Sequence, residues 1–356
     1  MSYQIARPAL LWLGVLLVLG GCAATPDDRR PLAIPVYPPP PDTARFIYER
    51  TLLYSSDIED FTKLQRFKLF ATGASRQLKG LVKPFDVAVH QGRVYVSDSV
   101  QRCVLLFDLP GKRLVEIGLD DKKGELTKPL GLTVSVTRQE LFVVDTTARR
   151  IVVYDLDGHF QRYLGGKEQL QRPSDVALSP DGNEVYVVDT GGIDSTRHNI
   201  QVFDAASGQL LRTLGRRGSG PGEFNLPLQI AVSADGLLHI VDSGNFRVQV
   251  IDDHGTPLAS FGTVGRMPGQ FARPKGIAID AQGNSYIVDT AFGNVQIFNP
   301  QGQLLMFLGE RGEAGYPGKF MLPSGIAVDE NGSIYVVDQF FRKVDVFRPL
   351  AAAISQ

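Results

Sequence analysis

The stretch from Pro323 to Phe347 reads P-S-G-I-A-V-D-E-N-G-S-I-Y-V-V-D-Q-F-F-R-K-V-D-V-F. Apolar residues alternate through Ile326 and Val328 to Asn331-Gly332, a dipeptide suited to a type I′ hairpin turn. A second run, Ser333 to Val337, ends at Asp338, and a third, Lys343 to Phe347, follows a short loop. The unit also starts at Pro84, Pro129, Pro173, Pro227 and Pro274, with successive spacings of 45, 44, 54, 47 and 49 residues as far as Pro323. Strands and turns recurring at this period mark a β-propeller, one blade per repeat. Repeats 2 to 5 each end in a fourth run before a glycine: His159 to Leu164, Gln209 to Leu214, Thr256 to Phe261, Gln303 to Leu308. The last repeat has no such run, while residues 45–55 alternate like a strand outside the repeats. Phe46 to Tyr54 is therefore expected to supply the missing outer strand, because an open blade leaves an exposed edge. The expected fold is all-β: a six-bladed propeller of four-stranded antiparallel blades, closed by an N-terminal strand.

Around that body the chain divides by composition. Arg7 and the apolar run Ala9 to Leu19 read as an export signal over 1–21, the run being short for a bilayer span. It ends in Leu19-Gly-Gly-Cys22, which resembles the lipobox of bacterial lipoproteins. That resemblance implies cleavage before Cys22, acylation of Cys22 (palmitate among the chains), and, with Ala23 next, sorting to the outer membrane of a diderm. Residues 22–44 read as a proline-rich linker, stiff and extended at Pro38 to Pro41. Residues 45–77 hold the closing strand and a short helix over 58–72, where Phe61, Leu64, Phe67 and Phe70 recur on one side. The propeller proper is placed at 78–350, with a tail at 351–356. Of the two cysteines, Cys22 and Cys103, one lies in the signal region, so no disulfide framework is expected. A formal charge of −1 gives no global field for nucleic acid.

Three linkers carry a family resemblance: G-R-R-G-S-G-P-G-E-F-N-L-P (Gly215 to Pro227), G-T-V-G-R-M-P-G-Q-F-A-R-P (Gly262 to Pro274) and G-E-R-G-E-A-G-Y-P-G-K-F-M-L-P (Gly309 to Pro323). Each leads into an I-A-[VI] strand and then a second-strand aspartate. In these features residues 78–348 resemble the NHL-repeat β-propellers, although the linkers of the first three repeats are shorter and more charged. The resemblance implies a partner-binding platform, an RNA binder or, in a few members, a metal-dependent lyase. Export by the signal argues against RNA.

Four groups of residues could carry chemistry. Asp98, Asp145, Asp189, Asp242, Asp289 and Asp338 each end a second strand, where a carboxylate accepts loop N–H groups as in an Asx-turn. Two residues after each repeated proline come Asp86, Gly131, Asp175, Gln229, Gly276 and Gly325, expected to ring the channel mouth. There Asp86, Asp175 and Gln229 form a candidate ligand-binding set with oxygen donors suited to Ca²⁺. The histidines have no zinc spacing, and His239 replaces the tyrosine of other repeats, which points to packing. The loops between second and third strands share a face with the blade-to-blade linkers, and that face collects arginines, Arg102 among them, together with Lys343. Its candidate partner-binding residues are Arg149, Ile193, Arg197, His198, Arg247 and Arg342, with Gly191 to His198 expected to stand above neighbouring loops. The reading is a lipid-anchored envelope scaffold that binds a protein or ligand; the alternative is a metal-dependent lyase or hydrolase at the channel mouth.

Overall fold

In the computed structural model, residues 34–59, 78–119, 122–192 and 194–350 are described. From Pro35 onward they form six four-stranded antiparallel blades, one of which gains a fifth strand. Blade 1 runs Pro84–His90, Arg93–Asp98, Cys103–Asp108 and Arg113–Ile117. First strands adjoin from blade to blade round the ring, including Pro323–Val328 beside Pro84–His90, and so line the axis. Blade 6 takes its outer strand from the N-terminal side. Phe46–Leu52 lies antiparallel to Lys343–Pro349, with Tyr48 opposite Phe347 and Leu52 opposite Val344. The expected closing strand is thus present, two residues shorter than read.

The repeated residues explain the geometry. Second and third strands are almost wholly buried, so adjacent blades share dry cores; Tyr186 and Val188 of blade 3, for instance, pack with Ile230, Leu238 and Ile240 of blade 4. Each second-strand aspartate is fully buried and stitches two loops together. Asp338 accepts from the N–H groups of Met321 and Leu322, at 2.8 and 3.0 Å, and from those of Phe340 and Phe341, at 2.9 and 2.8 Å. Asp98 and Asp289 repeat the pattern. In the long linkers a glycine with positive φ lies against a buried phenylalanine. A Cβ on Gly262 (φ 86°) would sit 2.2 Å from Phe271, and Gly215 and Gly309 face Phe224 and Phe320 likewise. Gly118 and Gly165 meet Leu126 and Leu170 instead, which is how the shorter linkers make the same turn.

Blade 6 is locked by a buried ion pair. Lys343 Nζ lies 2.6 Å from Asp345, at 1% and 0% side-chain exposure. Asp345 also accepts from Thr51 Oγ1 of the closing strand at 2.6 Å and from Gly318 N at 3.0 Å. Gln249 and Gln296 hold the equivalent glycines, Gly222 and Gly269, in blades 4 and 5.

Three local expectations change. Asn331 does not adopt the positive φ that a type I′ turn requires; only Gly332 does, at 79°, because Asp329 accepts from Asn331 N and Ser333 N and widens the hairpin. Within the expected linker, Val36–Tyr37 pairs with Ile47 and Phe46, and Pro38 to Pro41 turns between these strands rather than running extended. Lys343, expected on the arginine-rich face, is buried in its ion pair. The expected signal with Cys22, nearly all of the expected 58–72 helix, Ile193 and the 351–356 tail lie outside the described residues.

Candidate functional site

Asp86, Asp175 and Gln229 lie inside the channel, at 5%, 4% and 2% exposure, rather than open at its mouth. Each reaches one blade onward: Asp86 accepts from Leu132 N at 3.3 Å, Asp175 from Ile230 N at 2.8 Å and Gln229 from Ile277 N at 3.2 Å. The three glycines of the ring make the space. A Cβ on Gly325 would lie 2.2 Å from Asp86 Oδ1, one on Gly131 2.0 Å from Asp175 Oδ1, and one on Gly276 3.1 Å from Gln229 Oε1. Each large polar residue is therefore paired with a glycine of an adjoining blade, a packing code for one girdle across the channel. Burial pushes Asp86 up to about 6, while the Gln229 side chain, the N–H groups of Val87 and Leu132 and the Lys275 charge pull it back. Asp175 is raised well above the usual range by burial and then by the charge of Asp86. Two buried carboxyls that feel each other's charge do not both ionise readily, which favours one acid and one base.

Among the described residues, no group of three or more His, Cys, Asp or Glu is placed to hold a metal. His239 is buried, as packing requires, with Nδ1 3.4 Å from Ser285 Oγ, and burial lowers it to about 4. On the channel side away from the loop face, first-strand residues of all the blades line a cavity of about 340 Å³. On the loop-face side lies a smaller one, walled in part by Lys275 and Arg172. These two were not singled out from the sequence, although they flank the same repeated prolines that located the girdle.

The arginine-rich face is only partly as expected. Arg102, Arg149 and Arg342 are exposed at the ends of their loops, each in the left-handed region (φ 59°, 57° and 56°) just before or within one residue of the third strand. Arg197 is exposed and donates to Gln169 O at 3.3 Å. His198 is not on the surface: it is 1% exposed, and its Nδ1 accepts from Leu226 N at 3.0 Å. Arg247 is also held inside the structure, 2.9 Å from Asp242 and donating to Gly220 O and Glu223 O. It is the one arginine among the described residues that pairs with a second-strand aspartate. The long loop does not stand free either, since Ser195 bonds Gln171 and its carbonyl accepts from Arg217. What the sequence reading missed on this face is apolar: Phe340, Val100 and Met267 are 59%, 57% and 68% exposed.

No family model matches the chain. The Drosophila melanogaster protein "brain tumor" is 28% identical over 143 residues, 39% of this chain and 13% of that protein. Mouse NHL repeat-containing protein 3 is 29% identical over 140 residues, 35% of this chain and 39% of the relative. The chain thus spans well under two thirds of the length of the curated relatives it matches. Among solved structures, a gluconolactonase from Xanthomonas campestris aligns with a TM-score of 0.59 at 17% identity, covering 85% of this chain and 98% of that one. A streptogramin B lyase aligns at 0.55 and 14%, covering 76% and 94%. At these identities the likeness is one of fold alone.

Proposed function

From an NHL-repeat β-propeller, the type these repeats belong to, we propose a binding scaffold whose loop face docks a partner protein. One observation carries the reading: exposed Phe340 and Val100 sit in corresponding loops of neighbouring blades, each two residues from an exposed arginine, Arg342 and Arg102. Aromatic and arginine side chains together make the usual anchors of a protein interface. Arginines at fixed loop ends would steer an acidic partner toward that patch. The name of the mouse relative, an NHL repeat-containing protein, agrees with the repeat type, and a rigid ring bearing variable loops is a natural platform. In this reading the protein works in the cell envelope, tethered by acylated Cys22.

Phe340→Ser with Arg102→Glu and Arg342→Glu, in one chain, is expected to remove the partner recovered by cross-linking in intact cells. Asp181→Lys with Asp253→Lys on the opposite side should leave it in place. An unchanged partner profile in the first variant moves the interface elsewhere.

A second reading, a metal-dependent lyase or hydrolase, draws on the raised Asp86 and Asp175 carboxyls and on the lyase and gluconolactonase among the structural neighbours. Metal analysis of the purified protein separates the two: a stoichiometric divalent ion lost on Asp175→Asn would favour the enzyme.

A further inference from the structure

Between the girdle and the loop face the channel holds a cavity of about 210 Å³. Phe85, Leu130 and Leu228, each one position after a repeated proline, give it an apolar wall, and Arg172, Arg273 and Lys275 give it three cations. No carboxylate lines it. Two of its three hydroxyls are already spent: Ser174 donates to Leu228 O at 2.8 Å and Thr190 to Pro227 O at 2.7 Å, while Thr146 also lines the cavity. Among the described residues none of the three cations is in an ion pair, and for the half-buried Lys275 this is unusual, since most other buried or half-buried cations of the ring are paired. Lys275 does not extend to solvent; its Nζ lies 4.6 Å from the centre of the Phe85 ring, a cation over an aromatic face. Lys275 is half-buried and poorly hydrated, Arg172 and Arg273 stand exposed at the rim, and three like charges around one cavity repel one another, an arrangement that an anion would relieve.

We propose that this cavity binds a small organic carboxylate with a compact apolar body. The carboxylate lies among Arg172, Arg273 and Lys275, and the body rests on Phe85, Leu130 and Leu228. Orientation follows from the girdle: Asp86 and Asp175 lie beneath, so the charged end faces the loops. Size follows from the volume, since clefts for drug-sized ligands start at roughly 300 Å³ and this one is smaller. The charge state of Lys275 supports the site without carrying it. Burial, then Arg273 and Lys83, lower it to about 8, against the pull of Asp86 and Asp338, so anion binding drives proton uptake by Lys275 near that pH.

The test is calorimetric titration of the intact protein, at low salt, with benzoate, cyclohexanecarboxylate, benzamide and inorganic phosphate. Both carboxylates are expected to saturate, with benzamide and phosphate each at least about tenfold weaker. Lys275→Gln and the exposed Arg172→Gln should each weaken benzoate by about tenfold, while Arg149→Gln, outside the cavity, leaves it unchanged. Affinity should fall as pH rises through 8. Benzamide or phosphate binding as tightly as benzoate would overturn the proposal, and so would an unchanged benzoate affinity in Arg172→Gln or the absence of saturation by either carboxylate.

Discussion

At the scale of single residues, the second-strand aspartates do the most structural work. Asp289 accepts four backbone N–H groups in a site closed to water, from Ala272, Arg273, Ala291 and Phe292. Asp289→Ala leaves them unsatisfied and is expected to cost about 3 kcal/mol or more, read as a drop in denaturant midpoint. His239 makes a different prediction. Its folded value of about 4 lies below the usual value of 6.5, so the unfolded chain takes up a proton that the folded one refuses. The stability tied to it is therefore complete above pH 6.5 and is lost as pH falls toward 4. His239→Tyr, which restores the residue of the sister repeats, should gain roughly 1–2 kcal/mol on wild type at pH 5 relative to pH 7.5. Melting curves at the two pH values check this, and an equal shift at both would refute it. These roles were legible in the sequence because the repeats supply internal controls. The girdle was half legible: position showed that Asp86, Asp175 and Gln229 face the axis, but not that Gly325, Gly131 and Gly276 are their sockets. That pairing is between blades, and no spacing along the chain records it.

At the scale of elements, the informative comparison is between blades. Lys343 and Asp345 occupy the positions of Asn294 and Gln296 in blade 5, where a neutral amide holds the linker glycine. Lys343→Met alone strands a buried carboxylate and is expected to cost about 3–5 kcal/mol. The double change Lys343→Asn with Asp345→Gln copies blade 5 and should recover most of that loss, measured by urea unfolding. Recovery would show that the ion pair is one of two workable solutions to the same hydrogen-bonding problem. Strands and their order could be read from alternation and turn residues, whereas His198 and Arg247 could not. Both looked like loop-surface groups, but tertiary partners, Leu226 N and Asp242, draw them inward. The Asn331-Gly332 turn was misread for a related reason: Asp329, just upstream, outcompetes the dipeptide's own preference.

At the scale of the whole molecule, the proposed tether and the ring make separate predictions. Feeding cells an alkyne fatty acid should label wild type and not Cys22→Ser, and equal labelling of both would remove the anchor from the reading. The ring itself closes through Thr51 and Asp345, 294 residues apart in the chain. Joining points that distant costs a flexible chain roughly 5 kcal/mol in entropy, all of it due at one step. That step also has a place in time. During synthesis the outer strand of blade 6 emerges first and its partner strand last, so for most of translation Phe46–Leu52 is an orphan edge beside an unfinished ring. The nascent chain thus carries its own marker of incompleteness, a strand with one open edge covered only when the sixth blade arrives. A ribosome stalled before Lys343 would display that edge, and chaperone capture should fall sharply in stalled chains carrying a C-terminal spacer long enough to bring residue 349 out of the exit tunnel.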